Sequence, residues 1–122
     1  MTVDPLFGAG FESFWLGQRV ERLWATYWWR PRQAHNGYLE VFLNLGWAGV
    51  LMILVVIAGG YRNVTAMFRT DPAAGSLGLA LLVVALTYNL TEAAFKMMHP
   101  VWIAFLLAVS VPAASRCFHP CR

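Results

Sequence analysis

A small set of side chains in this 122-residue chain is equipped for chemistry, and all of it lies within a single stretch. His35 carries an imidazole, a side chain suited to proton transfer. Arg19, Arg22, Arg30 and Arg32 lie upstream, the last two flanking Pro31. A guanidinium fork matches the oxygens of a phosphate group. Asn36, Glu40 and Asn44 recur every four residues, which puts them on one face of a helix. A carboxylate there is costly to turn toward lipid, so that face should look into protein or a water-filled cavity. Each feature also has a plainer reading. A histidine at this position caps a helix, an arginine meets water or a lipid headgroup, and Glu40 hydrogen-bonds Asn36 one turn back.

The elements that must position these residues are apolar. Hydrophobic residues make up 59% of the chain and charged residues 12%, about half the charged share of a typical soluble domain. A chain this short exposes much of its surface when folded. Lipid or further protein must therefore cover the excess. The net charge is +3, but no basic stripe on a soluble fold suggests nucleic acid. Anionic lipid or a phosphate-bearing substrate fits the arginines better. Cys117 and Cys121 flank His119 at the C-terminus. Three candidate ligands fall short of the four of a structural zinc site, so no metal is expected. Nothing at the start has the layout of a secretory signal, and the expectation is that other helices precede.

The pattern predicts an all-α, polytopic membrane protein in three parts. Residues 1–37 form an interfacial segment with one or two short amphipathic helices. Phe11, Phe14 and Trp15 recur at helical spacing, as do Leu23, Trp24, Tyr27 and Trp28, and four of the six tryptophans fall here. Trp and Tyr concentrate where a membrane meets water. Residues 38–115 supply three spans, at about 38–60, 76–95 and 100–114, each near the length a bilayer requires, although the third is short. A polar connection over 61–75 carries Asp71-Pro72 as its turn, and Pro100 suits the first position of the last helix. Residues 116–122 form a cytoplasmic tail. Glu92 and Lys96, four apart, read as a salt bridge near the interface or as a second polar wall of the same cavity. Gly46 and Gly49 read as sites of close helix packing, and His99, beside Pro100, as structural. Arg19, Arg22, Arg30, Arg32 and Lys96 fall on one side of the membrane and Arg62, Arg69, Arg116 and Arg122 on the other, so positive-inside bias does not decide orientation.

Three motifs add a family likeness. Gly8-Ala-Gly-Phe11 precedes His35-Asn-Gly-Tyr-Leu39, which leads into an apolar stretch with Gly46 and Gly49 near its start. Asn89-Leu-Thr-Glu-Ala93 follows in a later apolar run. From about residue 5 to 109 the chain resembles the C-terminal third of the O-antigen ligase family. The resemblance implies a bacterial inner-membrane, multi-pass glycosyltransferase without cofactor. Such an enzyme moves a glycan from undecaprenyl pyrophosphate to lipid A core, or to another glycan in the related polysaccharide polymerases, inverting the anomeric centre. It implies His35 as the catalytic histidine of a periplasmic loop, acting as general base or positioning the acceptor. Arg19, Arg22, Arg30 and Arg32 are the candidates for the pyrophosphate, with Asn36, Glu40 and Tyr38 in support. The family's earlier helices are not in this sequence, so membrane lipid and those helices are expected partners, and activity from this stretch alone is not expected. A non-catalytic membrane fragment is the alternative from a different class.

Overall fold

The computed structural model describes residues 4–110. The end of the third predicted span and the tail with Cys117, His119 and Cys121 lie outside the described residues. Among those described, every regular element is a helix: α1 (Gln18–Thr26), α2 (Gly37–Thr70), α3 (Pro72–Thr91) and α4 (Pro100–Ser110).

Helix α1 turns Val20, Leu23 and Trp24 inward, at the i, i+3, i+4 spacing of one helical face. Of the one or two short helices expected, one forms, and Phe11, Phe14 and Trp15 lie in turns. Gly10 and Gly17 bracket them with φ of 101° and 64°, a left-handed backbone that ends helical continuity.

Helix α2 departs most from expectation. Gly46 adopts φ 63°, ψ −157° and divides it into two limbs. An ideal Cβ on Gly49 would lie 3.1 Å from Val41 Cγ1, whereas along a straight helix these residues stand about 12 Å apart. Tyr38 and Val41 also line a small cavity with Val50, Ile53 and Leu54. The first limb, residues 37–45, thus folds back against the second, and the predicted span from 38 gives way to a long limb starting at 47. That limb continues through the predicted 61–75 connection to Thr70, burying Val64 and Met67. The connection shrinks to Asp71, whose carboxylate accepts from Ala73 N and Ala74 N, both at 3.2 Å. Pro72 supplies a first helical position that needs no hydrogen-bond donor.

The offset of α3 follows. It starts at Pro72 rather than 76 and ends at Thr91 rather than 95. The Asn89 carboxamide oxygen takes the amides of Ala94 at 2.9 Å and Phe95 at 3.0 Å, turning the chain out of the helix. With the helix over, Glu92 and Lys96 do not face each other one turn apart. The expected bridge is replaced by contacts from each to the segment before α2, described below. Pro100 opens α4 as its type suggests. Met97 and Met98 precede it in a turn, both exposed, with Met98 at φ 64°.

Helices α2, α3 and α4 pack on one another in every pairing. Leu82, Ala85 and Phe105 form the buried centre, with Ile57, Leu86, Val101, Trp102 and Val109 around it. Close helix approaches occur at Gly60 against Val109, Gly75 against Phe68 and Gly37 against Asn89, and Gly49 packs on Val41 and Leu45 of the first limb, whereas Gly46 meets the backbone of Leu6 and Gly8. Helices α2 and α3 are long and apolar enough to cross a membrane.

Candidate functional site

The His35 end is held by two sets of contacts. The first closes the bend at Gly46. A break in a helix orphans carbonyls on one side and amides on the other. Residues 5–10 satisfy both sets. Ala9 N donates to Leu43 O at 3.0 Å and Gly10 N to Asn44 O at 2.8 Å, while Trp47 N donates to Pro5 O at 3.0 Å and Ala48 N to Leu6 O at 3.1 Å. The two backbones approach so closely that a Cβ on Gly46 would lie 2.5 Å from Leu6 C, and one on Gly8 2.5 Å from Asn44 C. Glycine is required at both on space as well as on φ.

Glu40 and Asn44 complete this clasp. Both are buried, at 6% and 7% exposure, against protein rather than lipid. Glu40 Oε1 accepts from Trp15 Nε1 at 2.8 Å and from Asn44 Nδ2 at 3.2 Å. Its Oε2 accepts from Ala34 N at 2.9 Å, next to His35. Asn44 Oδ1 accepts from Phe14 N at 3.1 Å. A buried carboxylate is tolerated when donors surround it, and three do so here. The Glu40 side chain therefore reaches the N-terminal segment, not Asn36. Asn36 caps the first limb instead, its Oδ1 accepting from Leu39 N at 3.0 Å.

The second set joins the segment around His35 to the end of α3. Asn36 Nδ2 donates to Leu90 O at 3.1 Å and Tyr38 Oη to Leu86 O at 3.1 Å. Gly37 packs so tightly on Asn89 that a Cβ would overlap its carboxamide. Lys96 Nζ donates to Gln33 Oε1 at 3.2 Å. His35 Nδ1 stands 3.5 Å from Glu92 Oε2 and 3.4 Å from Gln33 Nε2. The imidazole is 67% exposed, on a residue with φ 49°. The cap is Asn36 and not His35. The glycine loop is thus seated on the Gly46 bend, and the histidine segment on the Asn89 segment.

The arginines divide. Arg19 and Arg22 line a groove of about 240 Å³ with Gln18, Leu23 and Thr26, and Arg19 lies over the Phe14 ring at 5.3 Å. Arg32 lies over the Trp24 ring at 5.7 Å, and Arg30 is exposed. None of these contacts includes His35. The sequence reading missed Trp15 and Gln33, and in one of its two readings it placed Glu92 on a polar wall without naming His35 as its partner. Gln33 sits two residues from His35 and was legible as a neighbour, whereas Trp15 and Glu92 act across the fold and carry no local signal. His99 packs its ring 5.7 Å from Tyr88 and its Nδ1 accepts from Val101 N at 3.3 Å, a structural setting. Among the described residues no group of three or more metal-ligating side chains occurs. No family model, curated protein or solved structure matches the chain.

Proposed function

We propose that this chain corresponds to the C-terminal membrane part of an O-antigen ligase-like glycosyltransferase, with His35 at its periplasmic active site. Membrane placement is supported by what the helices expose. Only 22% and 28% of the most apolar windows of α2 and α3 are buried, whereas the core helix of a soluble protein hides most of its apolar surface. Helix α3 is 20 residues long, about 30 Å, one hydrocarbon thickness. The inner membrane and the periplasmic side come from the resemblance.

The observation that most supports the chemistry is the docking of His35 and Asn36 onto Glu92 and Leu90. It sets an exposed imidazole at the end of α3, near the depth at which a polyprenyl pyrophosphate carries its phosphates. In the proposed reaction an acceptor hydroxyl attacks the anomeric carbon as the bond to the pyrophosphate oxygen breaks. The anomeric centre inverts and the leaving oxygen keeps the electron pair. His35 takes the hydroxyl proton at Nε2, while Nδ1 faces Glu92. Arg19 and Arg22, sharing one groove, are the pair best disposed to meet the pyrophosphate charge. A ligase and a polymerase differ only in acceptor, lipid A core sugar or another repeat unit.

The test is complementation. Joined to the N-terminal part of an O-antigen ligase and expressed in a ligase-deficient strain, the chain should restore glycan on lipid A core. His35→Ala should abolish it at equal membrane level. Equal rescue by both removes His35 from the chemistry, and no rescue by either favours a polymerase or a non-catalytic membrane fragment.

A further inference from the structure

The segment between α1 and His35 ends in a tight turn that displays tryptophan. Arg30 N donates to Tyr27 O at 3.2 Å, so Trp28 and Trp29 are the two central residues of a four-residue turn. Trp28 is 88% and Trp29 58% exposed. Their rings meet edge to face at 6.2 Å, and Tyr27 lies 4.9 Å from Trp29. The turn is pinned at its base, where Trp24 Nε1 donates to Pro31 O at 2.9 Å and Arg32 covers the Trp24 ring. The display is therefore built rather than a frayed loop. Residues 22–39 hold Arg22, Arg30 and Arg32 and no carboxylate.

We infer that the Tyr27–Arg30 turn inserts into the headgroup layer of the bilayer, with Trp28 and Trp29 at the interface and Arg30 and Arg32 on lipid phosphates. Position and chemistry agree. Asn36 bonds to Leu90 near the end of α3, one hydrocarbon thickness from the Asp71 turn, so the His35 segment lies at a membrane face. Trp28 precedes His35 by seven residues, at most about 24 Å of chain. An indole has an apolar body and one donor, the combination favoured at headgroup depth, and anionic phosphates complement a segment with positive charge only. The turn then acts as a depth stop, holding His35 at a fixed height over the membrane. Arg30 and Arg32 serve headgroups, which leaves the Arg19 and Arg22 groove to the donor. This rests on the membrane placement proposed above, not on glycosyl transfer.

The full chain, with Cys117→Ser and Cys121→Ser, is reconstituted in phosphatidylethanolamine–phosphatidylglycerol vesicles. An environment-sensitive fluorophore is attached at Trp28→Cys, Trp29→Cys, Glu21→Cys or Leu54→Cys. Labels at 28 and 29 are expected to be quenched several-fold more by lipids spin-labelled near the headgroup than by lipids labelled at mid-chain. They should be shielded from aqueous iodide relative to the label at 21. Arg30→Gln with Arg32→Gln should reduce the shallow quenching about twofold. The label at 54 lies on the long limb of α2, and it should be quenched by spin-labelled lipid and shielded from iodide. If 54 responds but 28 and 29 are as open to iodide as 21, the turn faces water and the inference is overturned while the membrane placement stands. If 54 does not respond, both fall.

Discussion

The chain reverses direction at both ends of the long limb of α2, by opposite means. At Asp71 one side chain does the work. Its carboxylate caps α3, its backbone N–H donates to Met67 O at 2.8 Å, and Gly75 lets the two helices close on each other at Phe68. At Gly46 nothing within the helix satisfies the broken ladder, and residues 5–10, far away in sequence, supply two donors and two acceptors. The first reversal is local and autonomous. The second exists only when the N-terminal segment is seated, and it carries His35. The end of the molecule that depends on distant residues is therefore the end that carries the candidate site.

Substitutions at the two reversals should separate them. Gly46→Ala should cost most, about 3 kcal/mol or more, because it combines a positive φ with backbone overlap. In detergent, proteolysis should open residues 4–45 first, and undiminished thermal stability would show that the bend does not require glycine. Glu40→Gln should cost about 2 kcal/mol by setting an amide donor against one of the three donors now facing the carboxylate. The loss should appear as an altered Trp15 environment in near-UV circular dichroism, and an unchanged spectrum would argue against the clasp. Asp71→Ala should cost about 1 kcal/mol, the usual value of an N-cap. It should leave the exchange protection of residues 37–45 unaltered, and weakened protection there would mean that the two ends are coupled. Gly59→Ala, with nothing within 4 Å of its Cβ, should stabilise α2 by about 0.5–1 kcal/mol through helix propensity alone. A destabilised protein would reveal a neighbour on that face.

Much of this fold was legible in order. The apolar runs became helices, Asp71-Pro72 became a turn, and Pro100 opened a helix, because capping and proline geometry act within a few residues. Boundaries slipped where a side chain within the element turned the chain out of it, as Asn89 does in ending α3 by taking the amides of Ala94 and Phe95. The residues of the candidate site are picked out by the sequence, His35 by type and Asn36, Glu40 and Asn44 by spacing. Their partners are not. Spacing leaves Glu40 between a cavity role and a bond to Asn36, whereas it binds Trp15, Ala34 and Asn44. Of the two readings of Glu92 and Lys96, the bridge does not form, and both face the His35 segment as the polar-wall reading has it.

The sequence by itself determined the composition of the surface and the local stops and starts, since hydropathy, propensity and capping are summed over neighbouring residues. Only the tertiary structure decided that Gly46 is a bend rather than a packing site. Its positive φ is stable because the Gly8 loop fills the break, and that depends on contacts between residues nearly forty positions apart, which no local pattern encodes.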